Sequence, residues 1–141
     1  PLDWWVLQFP VHQGIQRVIT DLNRLYRENP GLHTHDFEAH GFEWIDCHDA
    51  SQSTLSYLRR GGGQTFVVVL NFTPVVREEY RIGVPHGGGY VEVFNSDSAY
   101  YGGTNIGNGG YIEGVPQPWM ILSHAMTIKL PTLGAVVLKA P

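Results

Sequence analysis

Cysteine is nearly absent: Cys47 stands alone among 141 residues, so no disulfide can close within the chain. The core must therefore hold the fold by itself. Charge is scarce too, with 9 lysines and arginines against 13 aspartates and glutamates, a formal net charge of −4 and a pI near 5.9. No basic run is present, which argues against nucleic acid and against an anionic membrane surface as partners. No apolar stretch approaches the roughly 20 residues of a transmembrane helix, and no signal-peptide pattern opens the sequence. A lone thiol fits a reducing compartment, and cytoplasm is the expected location.

Glycine and proline are abundant instead, at 17 and 9 residues, which implies many tight turns. The 43% apolar and 12% aromatic content argues against disorder, and the length suits one domain with a sizeable core. The chain opens on Pro1-Leu2-Asp3-Trp4-Trp5 without an initiator methionine. We expect it to be the interior of something longer.

From Val11 to Glu28 the apolar residues Val11, Ile15, Val18, Ile19, Leu22, Leu25 and Tyr26 recur every three or four positions, and Asn29-Pro30-Gly31 follows. That spacing predicts one amphipathic α-helix. Its apolar face should be covered by side chains of the β domain or used in a contact between chains. Gly31 to Gly41 is polar and histidine-rich and reads as a connection. Short strands are then expected at Phe42–Cys47, Ser53–Arg59, Gln64–Phe72, Glu78–Val84, Gly89–Asn95, Ala125–Leu130 and Gly134–Lys139. Within Thr65–Pro74 the run Phe66-Val67-Val68-Val69-Leu70 is bounded by glycines and a proline, as befits a strand buried on both faces. Gly61-Gly62-Gly63 and His86-Gly87-Gly88-Gly89 read as hairpin-type breaks. Tyr100 to Met120 is expected to be a long loop with one short strand. The fold class is mainly β, an antiparallel β-sandwich preceded by one helix.

Candidate chemistry is thin. His33, His35, Asp36, Glu38 and His40 crowd eight positions, but they lie in a polar loop. His33-x-His35 would need a glutamate four residues further on along a strand, and Glu38 comes too soon and within a loop, so no metal ligands are expected. The carboxylates Asp3, Asp21, Asp36, Asp46, Asp49 and Asp97 are scattered, with no pattern of a tuned pair. Cys47 beside His48 would point the other way on a strand. Asn71-Phe72-Thr73 matches a glycosylation pattern, but Pro74 follows it, and chance is the better reading. The aromatics Trp4, Trp5, Trp44, Trp119, Tyr100 and Tyr101 serve a core or an interface, or offer flat faces for sugar rings.

Several stretches, taken in order, resemble the C-terminal part of 1,4-α-glucan branching enzymes of the α-amylase clan (glycoside hydrolase family 13). They are Leu2-Asp3-Trp4, His12-x-Gly14, Asp21-Leu22-Asn23-Arg24-Leu25-Tyr26, Gly41-Phe42-Glu43-Trp44-Ile45 and Asn71-Phe72-Thr73-Pro74. They continue through Tyr80-Arg81-Ile82-Gly83, Asn95-Ser96-Asp97, Gly102-Gly103-Thr104-Asn105 and Leu130-Pro131. The resemblance implies that residues 1–30 are the last loop and helix of an otherwise absent (β/α)8 barrel, and residues 31–141 the closing all-β domain. It implies a parent enzyme that cleaves α-1,4 bonds and forms α-1,6 branches, whose catalytic carboxylates lie upstream. No catalytic residue, metal or cofactor is then expected in this chain. The partners would be an α-glucan and the barrel itself, with Trp44 and Trp4 as glucan-contacting residues. A stand-alone carbohydrate-binding module is the alternative.

Overall fold

The structure, a computed structural model, describes residues 2–141; Pro1 lies outside the described residues. A 3-10 turn over Trp4–Gln8 leads into helix α1, Pro10–Glu28. Pro10 occupies the first turn, where its missing N–H costs nothing and its fixed φ suits the helix. Asn29 closes the other end, its side-chain amide donating to the Leu25 carbonyl at 2.8 Å. The helix thus spans the expected residues and one more.

Eight strands follow: β1 (Phe42–Asp46), β2 (Thr54–Gly61), β3 (Gln64–Asn71), β4 (Arg77–Val84), β5 (Gly88–Asn95), β6 (Tyr111–Gly114), β7 (His124–Leu130) and β8 (Ala135–Lys139). Seven lie where the sequence places strands, and β6 is the one short strand of the long loop. They form a six-stranded sheet in the order β1-β2-β3-β8-β5-β6 and a two-stranded sheet of β4 and β7. All pairings are antiparallel. The expected sandwich is present, but lopsided, with six strands facing two.

The inner core lies between the sheets. Leu58, Val67, Val69, Tyr90, Val136 and Leu138 of the large sheet meet Tyr80, Ile82, Val84, Met126, Ile128 and Leu130 of the small one. A second cluster, Phe66, Val68, Phe94 and Val137, covers the outer face of the large sheet, where Val18 and Leu25 of α1 pack on it. Strand β3 contributes to both layers, and Phe66 to Val69 are all buried. This is why its sequence is an unbroken apolar run instead of an alternation. The helix is brought close by Gly14, where a Cβ would fall 2.0 Å from the Tyr101 carbonyl oxygen. Tyr101 in turn donates its hydroxyl to Asp21 at 2.8 Å.

Two turn expectations part company here. Gly62 and Gly63, with φ of +56° and +74°, form the two-residue turn between β2 and β3, the positive-φ pair that a tight hairpin requires. Residues 86–89, however, make no hairpin. They carry the chain from β4 in the small sheet to β5 in the large one, because β4 takes β7 as its partner. In β2 the residues facing the inner core include Thr54 and Ser56, both buried. The Thr54 hydroxyl lies 2.7 Å from that of Tyr80, which donates to Asp49 at 3.0 Å. Asp49 thus satisfies a polar corner inside the sandwich.

Candidate functional site

Because Ile45 points into the inner core, alternation along β1 sends Phe42 and Trp44 to the outer face. The β1–β2 register sets Trp44 opposite Tyr57. The three rings meet: Phe42 and Trp44 centroids are 4.9 Å apart and edge-on, Trp44 and Tyr57 5.9 Å and edge-on, Phe42 and Tyr57 5.1 Å and tilted by 30°. Trp44 keeps 46% of its surface in water. β1 is an edge strand, so this aromatic strip sits at the border of the large sheet. Tyr57 also lines a groove of about 440 Å³ between α1 and the outer face, with Leu22, Leu25, Tyr26, Arg59 and Val68 among its walls.

The polar groups around the strip are already engaged. Asp36 accepts from the Arg59 guanidinium and from the Tyr26 hydroxyl, the latter at 2.9 Å. Those two bonds, Arg59's first, hold the Asp36 carboxyl below the usual range, and the same carboxylate pushes the Tyr26 phenol up. Glu43 is paired with Arg60. Burial pushes Asp49 up, but bonds from Ser51, Tyr80, the Gln52 amide and Thr54 outweigh it and leave the carboxyl below its ordinary range. Carboxylates pinned this way are poor proton carriers. The arrangement can stack flat rings and orient hydroxyls; it offers no free pair for acid–base chemistry.

Trp4 stands apart. It lies in the N-terminal 3-10 turn, 69% exposed, beside a hollow of about 200 Å³ lined by Leu2, Asp3, Val6 and Leu7. It makes no ring contact with Trp44 among the described residues. Cys47 and His48 correct the sequence reading. β1 ends at Asp46 behind a register shift, so the pair sits beyond the strand, with the Cys47 sulfur 3.4 Å from His48 Nδ1. Strand alternation does not apply there. His35, Glu38 and His40, read as a loop, converge on one another. Phe42 and Tyr57 were invisible as partners of Trp44, although Phe42-x-Trp44 spacing marks a shared face.

Comparison with known proteins fits this geometry. Residues 44–141 match the family model described as the α-amylase C-terminal all-β domain. The chain belongs to that family. It is 54% identical over 138 residues to the 1,4-α-glucan branching enzyme GlgB of Nitrosococcus oceani, covering 98% of this chain and 18% of that protein. The GlgB of Thiobacillus denitrificans is 54% identical over 140 residues, covering 98% of the chain and 19% of its own length. The Marinobacter nauticus GlgB is 50% identical over 141 residues, with 98% and 22% covered. The chain therefore spans only about a fifth of the length of these relatives. A crystal structure of a mutant trehalulose synthase MutB has the same fold at a TM-score of 0.51 and 21% identity, over 85% of this chain and 17% of that one. Among the described residues no helix is long and apolar enough to cross a membrane.

Proposed function

We propose that this chain is the C-terminal part of a 1,4-α-glucan branching enzyme of glycogen biosynthesis, and that its sandwich braces a catalytic barrel formed by the rest of the polypeptide. The observation that carries this reading is identity above half, along 98% of the chain, to proteins bearing that name. Residues 1–30 belong to the barrel and residues 31–141 to the closing domain. The stripe of α1 that the sandwich leaves bare, Val11, Ile15 and Ile19, is the surface that the barrel covers.

The parent reaction is a transglycosylation. A carboxylate displaces the α-1,4-linked glucan leaving group, whose oxygen takes a proton from a general acid. The 6-hydroxyl of a second glucan then displaces the carboxylate and gives up its proton. Those carboxylates lie outside this chain, and the isolated chain is inactive. No metal or organic cofactor enters either step. Within this chain Trp44, steadied by Phe42 and Tyr57, stacks on α-glucan, and Trp4 lines the cleft side of the barrel. The compartment is the cytoplasm. The coding sequence upstream of Pro1 is the test: a barrel with two aspartates and one glutamate in catalytic positions supports the proposal, and any other upstream architecture removes it.

The exposed aromatic strip favours a second reading, a self-contained carbohydrate-binding module without catalysis. Electrophoresis of the isolated chain through glycogen-containing gel separates the two. A module is retarded by glycogen in proportion to its concentration, and a brace that needs its barrel is not.

A further inference from the structure

The segment between α1 and β1 contains a cluster that neither the fold nor the glucan chemistry uses. Its backbone makes two tight turns, with the Glu38 amide donating to the His35 carbonyl at 3.2 Å and the Gly41 amide to the Glu38 carbonyl at 3.0 Å. Residues three apart in such turns eclipse one another. His35 and Glu38 therefore share one side, with Glu38 Oε1 3.0 Å from His35 Nδ1, and the second turn brings His40 back to them, its Nε2 3.3 Å from Glu38 Oε2. The two imidazole centroids are 4.3 Å apart. Gly41 makes the approach possible, since a Cβ there would fall 2.1 Å from the His35 carbonyl oxygen and 2.6 Å from its Cβ. Gly61 leaves room for the His35 ring, whose Cδ2 lies 3.3 Å from where a Cβ at that position would stand.

From this convergence we propose that His35 Nδ1, His40 Nε2 and the Glu38 carboxylate form a surface binding site for a borderline divalent transition metal, with Zn2+ the best fit. The three donor atoms all lie within 4.8 Å of one another. Three donors on a tetrahedral zinc at about 2.1 Å stand about 3.4 Å apart, so side-chain rotations of roughly 1 Å close the site. Two imidazoles and one carboxylate select Zn2+, Co2+ or Ni2+ over Mg2+ and Ca2+, which prefer oxygen alone. The fourth position is left to water. Asp36, the other acid of the segment, is held by Arg59 and Tyr26 and stays out of the ligand set. Bound metal ties the segment's two turns together and stabilises the folded chain in proportion to its occupancy. The site is independent of the glucan reading.

Isothermal titration of the chelator-treated chain with Zn2+, and with Co2+ to record its visible spectrum, tests this. We expect one equivalent of Zn2+ to bind with micromolar affinity, and Co2+ to show the intense absorption of a tetrahedral centre. His40→Gln and Glu38→Gln should each weaken binding by at least about tenfold, while His33→Gln, a neighbouring histidine outside the cluster, leaves it unchanged. All three positions are surface-borne, and the far-ultraviolet circular dichroism should not move. No binding of either metal, equal affinity for Mg2+, retained affinity in either ligand variant, or an equal loss in His33→Gln overturns the proposal.

Discussion

Replacing Asn71 by alanine should unfold this domain far more readily than its place at a strand end implies. The side chain is 2% exposed and makes four hydrogen bonds. Its amide donates to the carbonyls of Val75 and Pro131 at 2.8 and 2.9 Å, and its Oδ1 accepts from the Thr73 amide and hydroxyl at 3.1 and 2.7 Å. It thereby joins three segments: the end of β3, the turn after it, and the Pro131 turn between β7 and β8. In Asn71→Ala the Val75 carbonyl can turn to water, since Val75 is exposed. The Pro131 carbonyl cannot, and an orphaned buried acceptor costs about 1–3 kcal/mol. Losing the Asx turn to Thr73 adds about 1 kcal/mol, giving a total near 3 kcal/mol. For a domain of this size that is a fall of roughly 10 °C in Tm. Urea titration of wild type, Asn71→Ala and Thr73→Val measures it. Thr73→Val should cost only about 1 kcal/mol, and the double variant should show coupling because both substitutions remove the bond from the Thr73 hydroxyl to Asn71 Oδ1. A loss below about 1 kcal/mol for Asn71→Ala at an unchanged m-value would refute the bracing role.

Two further perturbations address the pH response and the bare helix face. Burial pushes the phenols of Tyr80 and Tyr101 up to about 12, with hydrogen bonds to Asp49 and Asp21 adding to it. A folded value above the unfolded one of about 10 means that both contribute stability below pH 10 and lose it as pH rises through 12. Urea midpoints taken from pH 9 to 12 should fall along that window, and Tyr101→Phe should flatten the fall without removing the share due to Tyr80. At the acid end Asp49 and Asp97 are held below their ordinary range, so their contribution persists until pH drops under about 4. Ile15→Ser and Ile19→Ser, at positions more than half exposed, should change the Tm of the isolated chain by less than about 0.5 kcal/mol equivalent. In the full-length polypeptide the same pair should cost about 2 kcal/mol or more if the barrel buries them, and an equal response in both contexts contradicts the proposed packing.

The elements were far more legible than the site. Helix α1 and the buried strand β3 declare themselves through periodicity and an unbroken apolar run, and their neighbours only confirm the pattern. Strand order did not, because β8 lies between β3 and β5 through pairings such as Phe66 with Lys139 and Asn95 with Val136, which no local spacing encodes. The polar inner face of β2 is hidden from local reading for a related reason: buried Thr54 is satisfied by Asp49 and by Tyr80, which arrives from another strand. Trp44 was chosen by resemblance, but its aromatic setting depends on the register that brings Tyr57 opposite. The same limit hid the His35–Glu38–His40 cluster, whose side chains meet through two consecutive tight turns at a spacing that reads as loop.

The most direct measurement of the proposed glucan role is the amylose KM of the full-length polypeptide, read as the proposed branching enzyme, carrying Trp44→Ala. Trp44 is half-exposed, with its rings' neighbours Phe42 and Tyr57 supporting it from below, so truncation should spare the fold. Loss of one stacking contact of about 1.4 kcal/mol raises KM roughly tenfold, and kcat should change little because the proposal puts the chemistry outside this domain. A variant with wild-type Tm, wild-type KM and wild-type glycogen affinity contradicts the role assigned to this strip.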